Sequence, residues 1–154
     1  MLRAHPREEK KARLLCVDDD LSFLLGFTAV LQAAGYSIVA TNDPCQAFEL
    51  ATNSAFDLII VDYEMPHVNG EELASKLKQH KRDPPVILFS GSDSVPPQAI
   101  DEVDEHLAKG KDVKAVLQTV STKVSSVNGP KSEPRSLSAI SARGVSGSNE
   151  RNHR

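Results

Sequence analysis

A chain of 154 residues, 40% hydrophobic and 25% charged, has room for one domain of ordinary size around a buried core, and none of its apolar runs approaches the roughly 18 residues that cross a bilayer. The net charge of -3 hides a split: residues 1–120 carry 12 Lys+Arg against 19 Asp+Glu, residues 121–154 carry 6 against 2. The amino terminus, MLRAHPREEKKAR, lacks the apolar stretch of a secretory signal, which predicts a cytoplasmic protein. Cys16 and Cys45 fall in different elements, with no CxxC and no histidine at ligand spacing, and read as reduced core residues rather than a disulfide or a zinc site.

In chain order, residues 1–11 read as a charged tail, residues 12–121 as one folded domain, and residues 122–154 as a disordered tail. Short runs of strand length occupy 13–17 (RLLCV), 37–40 (SIVA), 57–61 (DLIIV), 86–89 (VILF) and 105–108 (EHLA), the middle ones apolar and β-branched as strands covered on both faces should be. Helical stretches separate them. Residues 21–34 start after Asp20, a candidate cap, and stop at Gly35; residues 44–53 have Asp43 as N-cap and Pro44 at the first helical position. Residues 71–81 follow Gly70, a short helix is expected over 97–103, and a last one over 112–120. Five βα units with short loops predict an α/β fold, a five-stranded parallel sheet with helices on both faces. From Ser121 onward the text is Ser, Gly, Pro and Arg with scattered Val, Leu and Ile, too little apolar surface to offset ordering entropy. That tail has no aromatic residue and its charges are widely spaced, so nucleic acid is not an expected partner.

In open parallel sheets the binding crevice lies beyond the carboxyl ends of the strands. Asp18 and Asp19 end the first strand, Asp62 the third, Ser90 the fourth and Lys109 the fifth, so all converge on one edge. Clustered carboxylates repel unless a divalent cation sits among them, and hard oxygen ligands suit Mg²⁺ or Mn²⁺. A lysine and a hydroxyl across the pocket complement an anion such as phosphate.

Val17-Asp18-Asp19, Asp62-Tyr63-Glu64-Met65-Pro66 with Gly70 downstream, Phe89-Ser90-Gly91 and Lys109 together resemble the receiver domain of two-component response regulators, a flavodoxin-like (βα)5 fold. The resemblance spans about residues 12–120 and implies specific roles. Asp62 would accept a phosphoryl group from a sensor histidine kinase or a histidine phosphotransfer protein. Asp18, Asp19, Asp62 and the backbone carbonyl of Glu64 would hold Mg²⁺, Lys109 would pair with phosphoryl oxygens, and the Ser90 hydroxyl and Gly91 N–H would bond to them. Such a chain is no enzyme beyond its own phosphorylation and dephosphorylation, and it would signal by protein–protein binding without an output module.

Three positions depart from that pattern. His106 stands where the family has the aromatic partner of the Ser90 switch, so the inward state should be less well packed or depend on histidine protonation. Gly110 follows Lys109 where the family usually has proline after a cis bond; a cis bond before a non-proline residue costs about 2.5 to 4 kcal/mol, so a trans peptide is expected. Glu64 places a carboxylate where the side chain influences phosphate lifetime. In the first helix Leu21, Leu24, Leu25 and Leu31 read as the core face, while Phe23, Phe27, Val30 and Ala34 form a second stripe that either stays exposed to dock a partner helix or is covered by the tails or a second copy.

Two other readings compete. Asp18-Asp19-Asp20-Leu21-Ser22 imitates the DxDx[ST] signature of haloacid dehalogenase-like phosphatases, but that assignment leaves the Asp62 segment without a role. A pseudo-receiver, an interaction module that never takes phosphate, is kept open by His106 and Gly110.

Overall fold

The computed structural model describes residues 10–79, 84–91 and 95–129. Strand and helix alternate: β1 (Arg13–Val17), α1 (Leu21–Ala33), β2 (Ser37–Thr41), α2 (Pro44–Asn53), β3 (Leu58–Asp62), α3 (Gly70–Lys78), β4 (Val86–Ser90), α4 (Pro97–Asp101), β5 (Glu105–Ala108) and α5 (Val113–Asn128). The five strands form one parallel sheet in the order β2-β1-β3-β4-β5. The chain winds outward from β1 to β2 and then crosses back to β3, which opens a crevice beyond the ends of β1 and β3.

Alternation along each strand divides the core into two layers. Leu14, Cys16, Leu58, Ile60, Ile87, Phe89 and Leu107 pack with Leu24 and Leu31 of α1 and Val116, Val120 and Val124 of α5. Leu15, Val17, Ile59, Val61 and Val86 face the other way, against Ala47 of α2 and Leu73, Ala74 and Leu77 of α3. Leu88 packs with Val95 and Ala99 at α4. Every residue of β3 and β4 is buried, as their unbroken apolar text requires of inner strands, whereas the edge strands β2 and β5 are largely half-exposed.

Helix ends follow their local chemistry. The Asp20 carboxylate accepts from the N–H groups of Ser22 (3.0 Å) and Phe23 (3.1 Å), Asp43 caps α2 ahead of Pro44, and Asn69 Oδ1 accepts from Glu72 N–H at 2.8 Å. Gly35, with φ at 100°, turns the chain out of α1 through the left-handed region.

Several expectations need correction. The last helix, expected over 112–120, continues to Asn128, because Val116, Val120 and Val124 recur at helical spacing and all three are buried. The expected tails at 1–9 and 130–154, and residues 80 and 81 of the third helix, lie outside the described residues. Cys16 is a core residue, but Cys45 is exposed: it sits in the first turn of α2, whose buried position is Ala47. The expected faces of α1 hold only in part: Leu24 and Leu31 are core and Ala34 is exposed, but Leu21 and Leu25 trade places with Phe23 and Phe27. Leu24, Thr28 and Leu31 are buried, Phe23 and Phe27 pack against the core, and the solvent side carries Leu21 (62% exposed) and Leu25 (75%). The helix is apolar nearly all round, so the sheet, by supplying Phe89 as a stacking partner, decides which stripe turns inward.

Candidate functional site

Strand ends and the loops after them build the site. Asp18 follows β1, its N–H bonded to the Thr41 carbonyl at 3.3 Å and its Oδ1 accepting from Asp20 N–H at 2.9 Å. Asp62 ends β3, and its Oδ1 accepts from Glu64 N–H at 3.2 Å. The loop after it is held down at Gly70, whose N–H donates to the Tyr63 carbonyl at 3.1 Å and whose missing Cβ would lie 2.1 Å from the Asp62 carbonyl oxygen. Only glycine permits that approach. Lys109 follows β5, tied by its N–H to the Ser90 carbonyl at 2.7 Å, and among the described residues no peptide is cis.

These anchors bring Asp18, Asp19 and Asp62 to one point, with a carboxylate oxygen of each within 4.8 Å of the others. Lys109 Nζ lies 2.8 Å from Asp18 Oδ2 and 3.2 Å from Asp62 Oδ1. Burial, and next the charge of Asp18, raise the Asp62 carboxyl from 3.8 to about 6, although the Glu64 N–H and Lys109 pull it down. Burial draws the Lys109 ammonium down, but the hydrogen bond to Asp18 and the charges of Asp62 and Asp18 outweigh it and hold it above its ordinary value. One ammonium does not neutralise three carboxylates, and this oxygen-only donor set fits a hard divalent cation. The Cys16 thiol beneath is pushed up to about 12 by burial and then Asp18, which leaves it protonated and inert.

The remaining expected residues fall around this centre. Ser90 is fully buried at the end of β4. The Gly91 N–H donates to Glu64 Oε2 at 3.2 Å, a contact that spacing alone gave no sign of. His106 is paired in register with Leu88, so it shares the face covered by α4; its Nε2 is buried with no hydrogen-bond partner among the described residues. Phe23, Phe27 and Val30 line an apolar groove of about 300 Å³ between α1 and the start of α5, opposite Val113, Val116 and Leu117. Thr41 was not singled out by the sequence; its hydroxyl bonds Gln46 and accepts from Asp43 N–H, fixing the loop that holds Asp18.

A doubly wound parallel sheet with an acidic cluster and one lysine at its carboxyl edge is the architecture of a signalling receiver. Residues 14–121 match the model of the response regulator receiver domain, and the chain belongs to that family. Response regulator MprA of Mycobacterium leprae is 31% identical over 83 residues, a match spanning 54% of this chain and 36% of that protein's length. A CheY-like receiver domain protein from Methanospirillum hungatei shares the fold, with a TM-score of 0.71 at 20% identity over 77% of this chain and 98% of that one. Response regulator TrrA of Thermotoga maritima, solved in complex with Mg²⁺-BeF, is 26% identical with a TM-score of 0.69, covering 73% of this chain and 98% of its own. Among the described residues no helix is long and apolar enough to cross a membrane.

Proposed function

We propose that this receiver domain, acting in the cytoplasm, takes a phosphoryl group onto Asp62 from a sensor histidine kinase or histidine phosphotransfer protein and signals through protein–protein binding. The observation that carries the reading is the contact of Lys109 Nζ with both Asp18 and Asp62, which places a cation beside the strand-end carboxylate that would accept the phosphoryl group. Asp18, Asp19, Asp62 and the Glu64 carbonyl would hold Mg²⁺ or Mn²⁺, and the Mg²⁺-BeF complex of the Thermotoga relative supports that assignment. When bound, the metal supplies charge neutralisation between the incoming phosphoryl group and the aspartates.

The chain's own residues do the rest. An Asp62 carboxylate oxygen attacks phosphorus, an O–P bond forms as the P–N bond to histidine breaks, and the bonding pair leaves with the imidazole nitrogen. Little covalent help is needed, so catalysis is positioning and electrostatic stabilisation. Lys109 meets negative charge developing on the phosphoryl oxygens, and the Ser90 hydroxyl and Gly91 N–H donate to them. Ser90 and His106, on neighbouring strands under α4, are the proposed switch elements that carry the change to the surface. The groove lined by Phe23, Phe27 and Val30, with exposed Leu21 and Leu25 on the solvent face of α1, is the proposed docking face for the phosphodonor.

The test is incubation with Mg²⁺ and acetyl phosphate, followed by a search for a hydroxylamine-labile phosphate on Asp62. Labelling of the parent and none of Asp62→Asn is expected. A chain that stays unlabelled is a pseudo-receiver, and labelling at Asp18 instead restores the phosphatase reading.

A further inference from the structure

We propose that Phe23 is a positioning residue for Lys109, its ring face closing the third side of the corner in which Asp18 and Asp62 hold the ammonium. Lys109 Nζ sits 4.5 Å over the centroid of the Phe23 ring while contacting the two carboxylates. An ammonium is attracted to the negative face of an aromatic ring, and more strongly where water is excluded. Here the lysine side chain is only 20% exposed. A lysine brings a flexible four-carbon stem to the site, so a fixed wall reduces the conformations it must lose.

The wall itself is fixed. Phe23 stacks on Phe27 at 5.5 Å between centroids, and Phe89 lies 5.8 Å from Phe23 and 5.1 Å from Phe27, so three rings from α1 and β4 brace one another. The Asp20 cap sets the position of Phe23 along α1, since the Phe23 N–H is one of its two donors. Asp18, Asp62, Phe23, Phe27 and Phe89 line one small cleft, so the rings underlie the carboxylates as well as the lysine. Phe23 also lines the α1–α5 groove, which makes it the element shared by groove and site.

The contribution to phosphorylation rests on the phosphoacceptor reading above, while the placement of the ammonium can be read without it. In the full chain, the Lys109 ammonium resonance, assigned by its loss in Lys109→Arg, reports proton exchange with water and mobility at one fixed pH. Phe23→Leu is expected to speed exchange and raise mobility about tenfold, with Phe23→Tyr restoring parent behaviour. Phe23→Met, which keeps volume without a ring, serves the same purpose where the leucine variant unfolds. With acetyl phosphate as donor, Phe23→Leu should lower the maximal labelling rate of Asp62 without changing half-saturation by Mg²⁺. A melting temperature lowered with ammonium exchange and mobility unchanged would reduce Phe23 to a packing residue and overturn the proposal. Absence of labelling in the parent would defeat only the phosphoacceptor reading, because the lysine resonance still decides the role of Phe23.

Discussion

Glu64 reaches across 27 residues of sequence to accept a hydrogen bond from the Gly91 N–H at 3.2 Å. In the proposed mechanism that same N–H serves a phosphoryl oxygen, so the Glu64 carboxylate occupies the donor with an anion of its own. A phosphoryl group arriving at Asp62 must displace it.

Removing the competitor should therefore help the reaction. Glu64→Ala is expected to raise the rate of Asp62 labelling by acetyl phosphate about two- to tenfold, the range corresponding to one modest hydrogen bond. Rates equal to the parent, or slower, would mean that Glu64 yields at no cost or orients the reactants.

Asp62 itself makes the metal-free protein sensitive to pH. Its carboxyl rises from 3.8 to about 6 on folding, through burial first and the Asp18 charge second. Between those values the native state binds more protons than the unfolded one, so this residue's contribution to stability falls as pH rises through the window. The full effect is about 3 kcal/mol above pH 6. In EDTA, the stability difference between Asp62→Asn and the parent should grow in favour of the variant from pH 4 to pH 7, and Mg²⁺ should stabilise the parent more. A difference that stays flat with pH contradicts the assignment.

Much of this was legible because inner parallel strands are covered on both faces, so β3 and β4 read as unbroken apolar runs that end in Asp62 and Ser90. The convergence of Asp18, Asp62 and Lys109 then follows from topology alone. What spacing could not supply was the choice among apolar surfaces. α1 has no charged residue to mark its outer face, and the stacking of Phe23 and Phe27 on Phe89 depends on a strand more than sixty residues away. Serine and threonine between Val120 and Val124 disguised the last turns of α5 as tail, since composition averages over the buried stripe that periodicity would have revealed. The Glu64–Gly91 contact has no sequence signal at all.

Gly70 offers a test of how the backbone holds the site. A Cβ there would stand 2.1 Å from the Asp62 carbonyl oxygen and 2.8 Å from the Tyr63 Cα, both backbone atoms that cannot swing aside. Gly70→Ala should cost about 1 to 3 kcal/mol through forced displacement, and because the displaced atoms belong to Asp62 and its neighbour, Mg²⁺ affinity should fall with it. Unaltered Mg²⁺ titration in a destabilised variant would separate fold from site.

His106 carries an unpaired cost of a different kind. Its buried Nε2 finds no hydrogen-bond partner among the described residues, and an unsatisfied polar atom costs about 1 to 3 kcal/mol. His106→Phe keeps a planar ring and removes the atom, so chemical denaturation of the metal-free protein should shift toward higher stability by about 1 kcal/mol. A lower midpoint would mean that an unseen water or partner satisfies the imidazole.

The last turns of α5 can be tested as part of the domain. Val124 is 8% exposed against the layer built by Leu14, Leu58 and Leu107, and neighbouring Lys123 donates to the Asp104 carbonyl at 2.8 Å and lies 3.3 Å from Glu105 Oε2. A carboxylate at position 124 would have to enter an apolar layer without a partner, or the helix end would have to lift away. Either route should make Val124→Asp less stable by about 2 to 4 kcal/mol, whereas Ser121→Asp, on the exposed side of the same helix, should stay within about 0.5 kcal/mol of the parent. Equal denaturation midpoints for the two variants would leave the boundary of the domain at residue 121.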